Sequence, residues 1–320
     1  MKKILVMLVM ASMIVSLVAC GNEKNTNENK RINVVATIFP EYDWVKSVVG
    51  DSKNIKTTLL VDKGVDFHSY QPTADDVLKI STCDVFIYVG GESDEWVEDA
   101  LKEAENKDIK IINLMEVLGN KVREEKAVEG MQEEHEEHEV ERENDEHVWL
   151  SLKNAKLFVN IISETLQEVD ENNKETYENN AEKYIEKLDK LDKEYTQTVQ
   201  NSKKDTVLFG DRFPFRYLMD DYGIKYYAAF NGCSAETEAS FETISFLAKK
   251  CDELELKVIL KETGSNDEIA KTIRENTKTK DQKILSMNAM QNVTFKDITV
   301  GVNYLSLMSE NRDTLEKALK

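Results

Sequence analysis

Short runs rich in β-branched and aliphatic residues alternate along the chain with stretches whose apolar positions recur every three or four residues. INVVATI (32–38), IKTTLL (55–60), DVFIYVG (84–90) and IKIINL (109–114) are the runs, and PEYDWVKSVVG, TADDVLKIS and DEWVEDALKEA lie between them. Such alternation predicts a parallel sheet with helical crossovers. The pattern then turns wholly helical. LKNAKLFVNIISETLQEV leads into a second run in which Tyr177, Ala181, Tyr184, Ile185, Leu188, Leu191 and Tyr195 repeat mostly at helical spacing, and neither Gly nor Pro interrupts it. One long helix is expected over about 174–200. Alternation resumes with TVLFG (206–210), IKYYAAF (224–230), LKVILKE (256–262) and KILSM (283–287), the last followed by a closing helix through about 319.

The predicted fold is therefore α/β, with two similar lobes, each a parallel sheet flanked by helices. One long backbone helix joins them, with a cleft between. The first lobe spans 32–170, the linking helix 171–203 and the second lobe 204–320. In open parallel sheets ligands bind beyond the carboxyl ends of the strands, so the cleft is where chemistry is expected. A rigid helical link predicts modest relative motion of the lobes.

The first residues stand apart from this pattern. Lys2 and Lys3 precede ILVMLVMASMIVSLVA, and a small residue, Ala19, precedes Cys20, which is the layout of an export signal over 1–19. The apolar run is shorter than the ~20 residues that a spanning helix needs. Residues 20–31 are polar and read as a flexible tether.

Charge narrows the partners. The formal net charge is −19, and loss of Lys2 and Lys3 with the signal makes it more negative still. Nucleic acid is excluded as a partner, because phosphate binding needs concentrated Lys and Arg. Cys83, Cys233 and Cys251 include no CxxC pair, which argues against a zinc–thiolate framework and leaves Cys233 with Cys251 as the candidate disulfide.

Histidine carries the candidate chemistry. His68, in DKGVDFHSYQPTADD, lies in a loop at a strand's carboxyl end, where a neutral imidazole is well placed to hold a metal. A satisfied structural histidine is the equal alternative. His147 opens HVWLSLKNA, whose Val148 and Trp149 mark the edge of packed structure. His135 and His138 sit instead in EEHEEHEVE, within an acidic insertion over about 119–146, and their spacing supports at most an exposed cation site. HEEH is one residue short of HExxH, so the zinc-hydrolase signature is absent.

Together HSYQPTADD, GGESDEWVEDAL, DEHVWLSLKNA, DYG and SAETEAS resemble the metal-binding lipoproteins that feed zinc or manganese ABC transporters, over about residues 32–318. LVAC, Leu17 to Cys20, resembles their lipobox. The resemblance implies that Cys20 is lipidated, that the protein is a monomer held at the extracytoplasmic face of the cell membrane, and that its partners are an ABC permease and a separate ATPase. It also implies metal ligands at His68 and His147, and an accessory metal-attracting loop carrying His135 and His138.

Two family ligands have no counterpart by this alignment: Gly210 falls where a third histidine is usual, and Asn288 where a late acidic ligand occurs. Asp211, beside a strand end in the second lobe, is the first candidate to complete the sphere; Glu262, in LKETGS, is the second. Glu236 and Glu238 come lower, because acidic residues at a helix start commonly serve the cap and dipole. Cys233 is set aside, since a thiol outside the cytoplasm is more often buried or oxidised.

The reading is a receptor that captures a divalent metal, zinc by preference, and releases it without turnover. Oxygen ligands would also admit Mn2+ or Fe2+. No GxxxxGK[ST] phosphate loop occurs, so energy for transport has to come from another subunit. The rivals are an exported zinc hydrolase using His68, His147 and a carboxylate, and a surface adhesin.

Overall fold

A computed structural model describes residues 31–132, 144–234 and 238–320. The export signal and Cys20, the loop histidines His135 and His138, and Glu236 lie outside the described residues.

Ile32 to Lys320 form one compact unit around two four-stranded parallel sheets. The first contains β1 (Ile32–Ala36), β2 (Ile55–Leu59), β3 (Val85–Tyr88) and β4 (Lys110–Asn113), in the order β2-β1-β3-β4. The second contains β5 (Thr206–Phe213), β6 (Lys225–Asn231), β7 (Val258–Glu262) and β8 (Lys283–Met287), in the equivalent order β6-β5-β7-β8. Each sheet therefore reverses direction beside its first strand, the switch point at which parallel sheets open a crevice.

The helices follow the amphipathic stretches. In the first lobe they are α1 (Phe39–Val49), α2 (Ala74–Ser81), α3 (Trp96–Lys102), α4 (Leu114–Leu118) and α5 (Leu152–Val169). The long helix α6 (Lys174–Gln200) buries Tyr177, Ala181, Tyr184, Leu188, Leu191 and Tyr195. At ~1.5 Å per residue it is about 40 Å long. It packs on α1 and α5 and also on the C-terminal helix, so it is a shared wall and more than a connector. One apolar core runs through both lobes, from Trp44 and Phe158 to Phe209 and Met308. No helix among the described residues is long and apolar enough to cross a membrane.

The second lobe's helices are α7 (Arg216–Tyr222), α8 (Phe241–Glu253), α9 (Glu268–Asn276), α10 (Phe295–Thr299) and α11 (Tyr304–Ala318). The single closing helix expected after KILSM is thus two. Thr294 caps the first of them, and the chain turns at Gly301 with φ +101° before Asn303 caps the second.

Strand β5 also differs from expectation, running on to Phe213 instead of ending at Gly210. Its pairing with β6 slips between Phe209 and Arg212 and then continues through Arg212↔Phe230 and Phe213↔Asn231. Asp211 and Arg212 therefore project from a strand. Gly210 could not have carried a ligand here, because an added Cβ would lie 2.7 Å from the Ala270 backbone. The candidate disulfide between Cys233 and Cys251 is not formed. All three described cysteines are free thiols, and Cys251 is sealed in the apolar cluster under α8 and α9.

Candidate metal centre

His68 sits in a single 3-10 turn, Phe67–Ser69, between β2 and α2. Asp66 caps that turn by accepting from the His68 backbone N–H at 3.1 Å, and Phe67 anchors it by packing edge-on to Trp149. His147 precedes another 3-10 turn, Val148–Leu150, whose three side chains are fully buried. Ser151 then caps α5. The two histidines therefore hang on backbone fixed by packing.

Their rings meet at the cleft. Nε2 of His68 and Nε2 of His147 are 3.1 Å apart. For comparison, two imidazole nitrogens bound to one tetrahedral zinc at ~2.0–2.1 Å stand about 3.3 Å apart.

Both outer nitrogens are already engaged. His147 Nδ1 lies 2.8 Å from Asp145 Oδ1, which also accepts from the His147 backbone N–H. His68 Nδ1 lies 2.8 Å from Ser93 Oγ, and that hydroxyl donates to Glu146 Oε2 at 2.5 Å. A hydroxyl that donates to a carboxylate is left to accept from the imidazole. Each Nδ1 therefore carries the proton, and each Nε2 presents a lone pair to the same point.

Two lone pairs at this distance repel unless a donor or cation lies between them. In this structure the Gln291 amide does so, with its Nε2 2.6 Å from His68 Nε2 and 2.9 Å from His147 Nε2. Its other end, Oε1, is buried without a hydrogen-bond partner. Burial lowers the pKa of His147 despite the Asp145 contact, which keeps the ring neutral as a ligand must be. Burial alone would raise Glu146, but hydrogen bonds from His68 and Ser93 outweigh it and hold this carboxylate ionised.

The second lobe closes over the pair. Gly232, after β6, lies so near His147 that a Cβ there would sit 2.7 Å from ring atom Cε1. This close approach brings Cys233 into the cluster: its Sγ and one nitrogen of each histidine all lie within 4.8 Å of one another. Burial first, and then the charges of Glu125, Glu146 and Asp145, push the Cys233 thiol well above the ordinary range. Trp149 Nε1 donates to Ala289 O at 2.8 Å, and Tyr217 OH donates to Asp145 O at 3.0 Å, so the His147 segment is tied to the opposite lobe on both sides of the ring.

Asp211 and Glu262 are not brought into this cluster. Asp211 Oδ1 accepts from Arg212 N at 2.8 Å, while Oδ2 accepts from Glu262 N at 2.9 Å and from Ser265 Oγ. Glu262 Oε2 pairs with Arg212 Nη2 at 3.2 Å, and the same guanidinium nitrogen reaches across the cleft to Asp66 Oδ2 at 2.8 Å. Arg212 thereby steadies, from the second lobe, the cap beneath His68. Burial pushes Glu262 up to about 7, partly offset by Arg212. Glu238, considered earlier, belongs to no described ligand cluster.

Sequence reasoning missed Gln291 at the centre and set Cys233 aside. The position aligned with a late ligand, Asn288, spends its Oδ1 on the Met290 N–H, and it is Gln291, three residues on, that reaches the histidines. Met290 has φ +64°, a backbone reversal that no residue type in SMNAMQ announces. For Cys233 the signal was the adjoining glycine, which permits close approach to a ring.

A family description, ZnuA: Zinc-uptake complex component A periplasmic, matches residues 34–318. A zinc-binding lipoprotein AdcA from Streptococcus pneumoniae is 32% identical over 306 residues, which is 94% of this chain but 58% of that protein. A high-affinity zinc uptake system protein ZnuA from Bacillus subtilis is 29% identical over 97% of this chain and 96% of its own length. Among solved structures, the Zn(II)-bound ZnuA-like domain of S. pneumoniae AdcA superposes with a TM-score of 0.70 at 29% identity, covering 90% of this chain and 99% of that domain.

Proposed function

The chain belongs to the family of periplasmic zinc-uptake component A proteins, and on that premise we propose that it captures Zn2+ outside the cytoplasmic membrane and delivers it to an ABC permease powered by a separate ATPase. It binds and releases, without chemical turnover. The similar proteins named for zinc support this cargo. The observation that carries the reading is the pair of Nε2 atoms, 3.1 Å apart, each with its Nδ1 held by a polar partner.

His68 and His147 are the first two ligands, and Ser93–Glu146 and Asp145 set their tautomers. Asp211 and Glu262 would have to give up their bonds to Ser265 and Arg212 to reach a metal. We assign them instead to holding β5, β7 and Arg212 in register. Because the pair sits between the lobes, metal favours the closed arrangement by its difference in affinity between open and closed states, a difference the permease can read. Lipidation at Cys20 would hold the monomer at the membrane. The acidic stretch with His135 and His138 would raise the capture rate more than the affinity of the cleft.

Calorimetry of the mature chain with Zn2+ and Mn2+, for wild type and His68→Ala, tests this. One tight zinc site that disappears in the variant is expected. Undiminished zinc binding in His68→Ala would remove the cleft from the account.

A further inference from the structure

Two histidines leave a zinc ion half-coordinated, since structural zinc takes four ligands from nitrogen, sulfur and oxygen. The second lobe presents two further groups at the same point. One is Gln291, 3% exposed, with an amide oxygen that has no partner. The other is Cys233, whose sulfur lies within 4.8 Å of one nitrogen of each histidine.

We propose that Cys233 is the third zinc ligand, a thiolate that the second lobe adds to an ion already held by His68 and His147. The inference rests on the metal-capture reading above and goes beyond it in the ligand type. A tetrahedral zinc with nitrogen at ~2.0–2.1 Å and sulfur at ~2.3 Å puts the sulfur about 3.6 Å from each nitrogen. Bonding therefore needs the Cys233 loop to close in from a separation of up to 4.8 Å between its sulfur and one nitrogen of each histidine. Glu125, Glu146 and Asp145 all act on this sulfur, and such negative surroundings suit a divalent cation.

On binding, the S–H bond breaks, its proton leaves to solvent, and the sulfur electron pair forms the bond to zinc. No oxidant or reductant takes part. The fourth corner faces the Gln291 amide. Gly232 is what lets the loop approach, because any larger residue would meet the His147 ring.

The consequence is selectivity. Two imidazoles with carboxylates accept manganese as well as zinc, whereas a thiolate favours zinc and disfavours the harder manganese ion. Cys233 thus serves as a discriminator between the two metals.

The test is X-ray absorption at the zinc edge, together with near-ultraviolet spectra of the Co2+-loaded protein, for wild type, Cys233→Ser and Cys233→Ala. One sulfur neighbour at about 2.3 Å and an intense thiolate-to-cobalt charge-transfer band are expected in wild type and absent from both variants. Zinc affinity should fall by about tenfold or more in the variants, while manganese affinity changes little. Zinc bound by wild type through nitrogen and oxygen alone, or held equally tightly by Cys233→Ser, overturns the proposal but leaves the capture reading standing. Wild type that takes up no zinc rejects both. Should neither variant fold, the wild-type sulfur neighbour and cobalt band still decide.

Discussion

The two lobes share one topology and contribute to the site in different ways. The first supplies both histidines from loops at the carboxyl ends of its layers, each with a hydrogen-bonded partner that fixes its tautomer. The second supplies no described histidine. It brings a thiol, an amide and an arginine that braces the first lobe through Asp66. One fold thus carries a preformed histidine pair on one side and a closing wall on the other.

That asymmetry predicts an order of effects. His147→Ala removes a proposed ligand that is fully buried and should weaken zinc by about 1,000-fold or more, an expectation resting on losing one whole coordinate bond (~4 kcal/mol). Asp145→Asn, which leaves the ring but loosens its orientation, should cost ~10–100-fold. Competition with a chelator of known affinity measures both. Equal losses for the two variants would mean that the first lobe's pair is not preorganised.

Arg212→Ala attacks the brace instead. It strands Glu262 and Asp66 without their shared cation. Stability should fall by about 2 kcal/mol, read as a lower melting temperature, while zinc affinity falls less than tenfold. A large affinity loss with unchanged melting would make Arg212 part of the binding site itself.

The smallest effect on zinc binding concerns a carboxylate with no such cation, whose influence falls on stability instead. Glu41 accepts through Oε2 from Thr37 N at 2.9 Å, Thr37 Oγ1 at 3.0 Å and Ile38 N at 3.2 Å, and its Oε1 has no partner. Burial, reinforced by the Asp94 charge, pushes it from 4.5 up to about 8. Between those values the folded chain keeps a proton that the unfolded chain has released, so stability falls as pH rises through the window. Glu41→Gln mimics the protonated acid and should flatten that slope in denaturant titrations at pH 5 to 8. A slope unchanged in Glu41→Gln would assign the pH dependence to other groups.

The sequence made the alternating layers and the long helix readable because burial on one or both faces of an element imposes a period on its residues. His68 and His147 were readable for a related reason: each lies beside residues that must pack, Phe67 and Val148–Trp149–Leu150, which marks a loop with a fixed shape. Asp211 and Glu262 looked like ligands because they are acids at strand ends. The slip in β5 that aims Asp211 at Ser265 depends on pairing with β6, which no local pattern encodes. Gln291 was hidden by distance along the chain, and Cys233 was set aside as a thiol more often buried or oxidised. Cys233 faces His147 only after the lobes pack, and Gln291 arrives through a left-handed residue at Met290.

The most direct measurement is a crystal structure of the zinc-loaded mature chain with diffraction recorded at the zinc absorption edge. The account predicts one strong anomalous peak per chain, bonded to Nε2 of both His68 and His147. A peak elsewhere in the molecule, or none between these two nitrogens in a protein shown to hold one zinc, would contradict it.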